Sequence, residues 1–104
     1  MTVYSVSEIT TYLGQILSHD FLLQDLWVSG EVANLSRSGS GHSYFTLRES
    51  ERSLRCVMFR SANGTKDLVD GAAILAHGRI SVYQVRGDLQ FIVDVVRPSG
   101  MGEL

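Results

Sequence analysis

The sequence predicts an all-β fold with one N-terminal α-helix: a five-stranded Greek-key OB-fold barrel. Three observations lead there. The hydrophobic period changes from helical to two-residue at Leu26, and five alternating runs follow, over 26–35, 42–49, 53–60, 73–84 and 89–97. The third connection, 61–72, is the longest. Gly30 and Gly78 fall inside runs, where a closing barrel needs sharp bends or bulges. Closure also removes the exposed edges of a five-stranded open sheet. An SH3-like barrel is the nearest rival.

Residues 1–25 read as one helical segment packing on the barrel. Ser5 and Glu8 have the spacing of a capping box, and Tyr4 and Ile9 flank it as a hydrophobic staple. Val6, Ile9, Leu13, Ile16 and Leu17 then recur as one apolar stripe, weakened by Gly14 at about 1 kcal/mol relative to alanine. That stripe needs something to cover.

Residues 26–98 form the barrel. The breaks between runs carry turn residues: 36–41, Ser50-Glu51-Arg52, Asn63-Gly64, Asp70-Gly71 and Arg86-Gly87-Asp88. The 61–72 connection reads as a loop or as a short helical turn around Lys66–Val69. Alternation turns Leu26, Val28, Gly30 and Val32 inward, then Phe45 and Leu47, and then Leu54, Cys56 and Met58. Ile74, Ala76, Ile80 and Val82 fill the fourth run, and Leu89, Phe91, Val93 and Val95 the fifth. Residues 99–104, from Ser99 on, look like the start of a linker.

Composition narrows the function. With 104 residues, one domain and one modest core are expected, and 44% hydrophobic content excludes a disordered chain. No apolar run approaches the ~18 residues of a membrane span, so no membrane partner is expected. The start lacks the basic and apolar stretches of a secretory signal, and Cys56 has no partner for a disulfide, so a cytoplasmic location is expected. The net charge of -2 argues against a strongly basic nucleic-acid binder, but the charge is uneven. Residues 1–25 hold three acids and no Lys or Arg (-3), whereas 26–104 hold eight acids and nine bases (+1). Eight of the nine bases are arginine, whose planar fork pairs with phosphate and stacks on rings.

Catalysis finds no support. His19, His42 and His77 pair neither with Cys56 nor with one another at metal-ligand spacing, so no metal and no cofactor are expected in this domain. Gly39-Ser40-Gly41 lacks the lysine and following helix of a phosphate loop. Arg86-Gly87-Asp88 reads as a tight turn. Arg48, Glu49, Glu51 and Arg52 read as a surface charge set.

Binding is the better prospect. The ligand face of an OB barrel is that of its second and third strands, flanked by the loops joining strands one to two and four to five. Here that face carries Tyr44, Thr46, Arg55, Val57 and Phe59, with Trp27 or His42 at its margin and Arg37 and Arg86 in the loops. Unpaired nucleic acid needs rings for its bases and cations for its phosphates, and Tyr44 between Arg37 and Arg55 offers both. Two of these residues have equally good structural uses. Trp27 suits packing under the apolar stripe, and Phe59 suits burial by the 61–72 segment.

Five stretches carry a family likeness. Residues 27–35 (Trp27-Val28-Ser29-Gly30-Glu31 onward), 40–48 (around Tyr44-Phe45-Thr46-Leu47-Arg48) and 55–60 (Arg55-Cys56-Val57-Met58-Phe59-Arg60) are three of them. Gly78–Tyr83 and Arg86–Gln90 continue it. In order and spacing they resemble the amino-terminal domain of the exodeoxyribonuclease VII large subunit, although single motifs recur in OB domains of aminoacyl-tRNA synthetases. The resemblance implies a cytoplasmic nuclease that degrades single-stranded DNA to oligonucleotides, with an OB domain that holds the strand. It implies small subunits as partners of the large one. The sequence stops at Leu104, before the family's catalytic domain, so no catalytic residue carries over and the chain alone is expected to be inactive.

Two competing readings stay open. One is a protein-interaction module whose acidic helix docks on a partner subunit or, by self-association, on another copy of the domain. The other is an anticodon-type RNA binder.

Overall fold

A computed structural model describes residues 1–100; Met101–Leu104, expected to continue a linker, lie outside the described residues. The capping box forms as expected. The Ser5 hydroxyl accepts from the Glu8 amide at 3.1 Å, and the Glu8 carboxylate accepts from the Ser5 amide at 2.9 Å. Helix α1 (Val6–Ser18) follows. It does not continue to the barrel as one element. Asp20 caps a second short helix, α2 (Phe21–Gln24), by accepting from the Leu23 amide.

The strands are β1 (Leu26–Arg37), β2 (Ser43–Glu49), β3 (Arg52–Asn63), β4 (Ala73–Tyr83) and β5 (Asp88–Pro98). They close in the order β1-β2-β3-β5-β4, with β3 and β5 parallel and every other pair antiparallel. Strand β1 serves both halves of the barrel. Its first half pairs with β4 and its second with β2, and Glu31 has partners on both. Between the two halves Gly30 lies close to β2, where an added Cβ would be only 3.2 Å from the Arg48 carbonyl oxygen. The bulge falls later, around Asn34, whose φ of 54° is left-handed. A second bulge sits at the other glycine. The β4–β5 register slips between His77 and Gly78, and a Cβ on Gly78 would lie 2.0 Å from the Ile92 carbonyl oxygen.

The barrel interior is filled by alternate residues, among them Val32, Phe45, Met58, Ile74, Phe91 and Val93. Two inward assignments need correction. The bulge in β5 shifts its parity, so Val96 is buried in place of Val95. Leu89 lies beside the β4–β5 turn, past the core, and is exposed. Within the long connection a 3-10 turn (Thr65–Asp67) delivers Leu68 into the barrel, where it is fully buried.

The helical segment rests on the barrel lightly. No α1 residue is buried; Leu17 and, from α2, Leu23 pack against the core. Gln24 donates to the Leu17 and Ile80 carbonyls, and Gln84 in the β4–β5 turn donates to the Thr10 carbonyl. Of the apolar stripe, Leu17 packs against the core, whereas Val6, Ile9, Leu13 and Ile16 are exposed. The radius of gyration is 15.0 Å, above the ~13 Å of a compact chain this size.

Candidate nucleic-acid interface

Strands β2 and β3 pair without interruption from Ser43 opposite Met58 to Glu49 opposite Arg52, which fixes what shares the outer face. Tyr44 stands opposite Val57, and Thr46 opposite Arg55. Val57 in turn pairs with Ile92 of β5. Flanked by these neighbours, Val57 is only 7% exposed, whereas Tyr44 is 45% exposed. Val57 thus lies on the outer face but forms its floor, and Tyr44 rises from it.

A groove of about 700 Å³ runs over this face. It is lined by Tyr44, Thr46, Arg55, Val57 and Phe59 on the strands and by Tyr83, Val85 and Arg86 at the β4–β5 turn, with Asn34 and Gln90 at its sides. Six of the residues singled out from the sequence meet here: Tyr44, Thr46, Arg55, Val57, Phe59 and Arg86. The turn positions Arg86 well. Its guanidinium lies 5.4 Å from the Tyr83 ring centre, and its Nε is 3.2 Å from the Asp88 carboxylate. Among the described residues the lining contains two arginines, Arg55 and the Asp88-paired Arg86, and no carboxylate of its own. Three exposed rings, Tyr44, Phe59 and Tyr83, offer stacking faces.

Of the three other sequence candidates, His42 stands at the margin beside Phe59, while Arg37 and Trp27 are placed elsewhere. Arg37 turns to the long connection, where its guanidinium donates to the Thr65 and Leu68 carbonyls at 3.2 and 3.4 Å. His42 accepts the Arg60 amide on Nδ1 at 3.1 Å and meets the Phe59 ring edge-on at 5.3 Å. Phe59 itself is 43% exposed rather than covered by the 61–72 segment. Trp27 sits nine residues before Ser36, the β1 partner of Tyr44, so it cannot border the groove. It is not under the apolar stripe either, being 47% exposed and flanked by His77 and the Arg97 guanidinium.

Sequence reasoning missed Asn34, Tyr83, Val85 and Gln90. Tyr83 and Gln90 were legible as outward-facing residues; the bulge that brings Asn34 to the groove had no signal in the alternation. The expected charge set also differs, because Arg48 pairs with Glu31 across β1 and β2 at 3.4 Å. Among the described residues no group of His, Cys, Asp or Glu could hold a metal ion.

The closed five-stranded topology and the ring-bearing groove together define a small OB barrel. Residues 4–97 match the family described as OB-fold nucleic acid binding domain, and the chain belongs to it. Over 98% of its length it is 40% identical to the exodeoxyribonuclease 7 large subunit of Halothermothrix orenii and 43% identical to that of Geobacter metallireducens. The subunit of Neisseria meningitidis serogroup C is also 43% identical. The chain spans only about a quarter of these relatives, between 22% and 26% of their length. Among solved structures, asparaginyl-tRNA synthetase from Pyrococcus horikoshii superimposes with a TM-score of 0.60 over 74% of the chain and 20% of its own, at 16% identity. That likeness is one of fold.

Proposed function

We propose that the chain is the single-stranded DNA-binding domain of an exodeoxyribonuclease VII large subunit. It holds unpaired DNA in the β2–β3 groove and presents it for hydrolysis to oligonucleotides by a catalytic domain outside this chain. Small subunits are partners of the whole protein.

The observation that supports this reading is the convergence of three exposed rings and two arginines on one groove. Stacking holds any base at ~1–3 kcal/mol each, which suits a nuclease that must accept every sequence. The relatives' name supplies the kind of polymer. With two arginines in the groove and a net charge of -2, affinity is expected to be micromolar or weaker.

Fluorescence anisotropy with labelled oligo-dT at two salt concentrations tests this. Tyr44→Ala and Arg55→Ala each weaken binding by ~5-fold or more, and Arg55→Ala also lowers the salt slope by about 0.7. Unchanged affinity in both variants overturns the reading. So does preferential competition by an RNA of equal length, which would mark contacts to 2′-hydroxyls.

A further inference from the structure

The β4–β5 turn builds Tyr83, Arg86 and Asp88 into one unit. Tyr83 and Asp88 are the last pair of the β4–β5 ladder, so their side chains stand side by side. The Tyr83 carbonyl closes the turn by accepting from the Arg86 amide at 3.2 Å and from the Gly87 amide at 2.8 Å. Gly87 takes a left-handed φ of 71° there. Arg86 folds back over the pair at the base of the turn. Its guanidinium carbon lies 5.4 Å from the Tyr83 ring centre and its Nε 3.2 Å from the Asp88 carboxylate. Tyr83 and Arg86 both line the groove. Arg55, the other arginine of the lining, has no ion pair among the described residues.

We propose that the two arginines of the groove take different parts of the strand: Arg55 holds a phosphate, and Arg86 holds a base, which stacks on its guanidinium. The inference rests on the DNA-binding reading and assigns roles within that site. Charge decides between the two parts. A phosphate on the Arg86 guanidinium would stand beside the Asp88 carboxylate already bound there, two like charges on one cation. A base has no charge for Asp88 to oppose. It meets instead a delocalised plane, which arginine offers and lysine does not. Tyr83 and Asp88 also restrict the long Arg86 side chain before anything binds, so less of its freedom is lost when a base arrives. Arg55 has no such carboxylate beside it, and its charge is open to the backbone of the strand.

Anisotropy titrations of labelled oligo-dT over a range of salt concentrations separate the roles. The salt slope counts the phosphates that are neutralised, and an arginine already paired with Asp88 that meets a base adds nothing to it. Arg86→Ala is expected to weaken binding ~5-fold or more and to leave the slope within about 0.2 of the parent value, whereas Arg55→Ala lowers it by about 0.7. Arg86→Lys keeps the charge and loses the plane, so it is expected to bind no better than Arg86→Ala. Amide spectra establish that each variant keeps the barrel. A slope lowered by about 0.7 in Arg86→Ala, parental affinity in Arg86→Lys, or indifference to both changes overturns the proposal. In each of those cases, binding that still depends on Tyr44 and Arg55 leaves the DNA-binding reading standing. A parent chain that does not bind oligo-dT overturns both.

Discussion

His77 Nε2 lies 2.5 Å from the Asp25 carboxylate, tying the end of the helical segment to the middle of β4. Its other nitrogen, Nδ1, is 2.7 Å from Asp94. A neutral imidazole has one N–H, so both contacts are hydrogen bonds only when the ring is protonated. The hydrogen bond to Asp25, then that to Asp94, raises the His77 pKa above its ordinary 6.5. A raised folded-state pKa gives stabilisation that is complete below the unfolded value and lost as pH rises through the folded one. The clamp therefore fades on the alkaline side of 6.5. Trp27 is the sole tryptophan and its ring centre is 5.1 Å from that of His77, so its fluorescence reports the titration. The expected midpoint lies above 6.5, and Asp25→Asn lowers it. A midpoint at or below 6.5 in the parent chain contradicts the clamp.

Gly78 is required by the neighbouring strand. A Cβ there would lie 2.0 Å from the Ile92 carbonyl oxygen, a backbone atom that moves only if β5 moves. Gly78→Ala is expected to cost roughly 3 kcal/mol in urea unfolding. A cost below ~1 kcal/mol, which surface substitutions reach, would mean that the two strands are not so closely apposed.

Ser43 points into the barrel, is 1% exposed, and its hydroxyl has no hydrogen-bond partner among the described residues. Burying a hydroxyl without a partner costs about 1–3 kcal/mol, so Ser43→Ala is expected to leave stability unchanged or raise it by about 1 kcal/mol. A clear loss of stability on chemical denaturation would show that the hydroxyl is satisfied in solution.

Burial pushes the Cys56 thiol up to about 12. The thiolate is the reactive form, so Cys56 is expected to resist a thiol reagent at pH 8 until urea unfolds the barrel. Rapid labelling of the folded chain would contradict its place in the core.

Much of this was legible because alternation in a barrel with a full core leaves little freedom. Phe45, Met58, Ile74 and Phe91 had one consistent face each, and Ser5 with Glu8 announced the start of α1. Parity failed where backbone geometry interrupts it. The bulge at Asn34 brings that residue to the groove, and the one beside Gly78 exchanges Val95 for Val96 in the core. Periodicity also says that α1 has an apolar stripe without saying what meets it, since a helix can rest on a barrel through Thr10, Gly14 and Leu17 alone. Arginines were the hardest to read. Arg55 and Arg86 line the groove while Arg37 holds the Leu68 carbonyl, and only the folded chain distinguishes them.

Mapping amide shift changes on addition of oligo-dT tests the central claim most directly. The largest changes are expected on Tyr44, Thr46, Arg55, Phe59, Tyr83 and Arg86, with α1 and the Trp27 side of the barrel unmoved. Changes centred on Trp27, His77 and Arg97, or no changes at millimolar oligonucleotide, would contradict it.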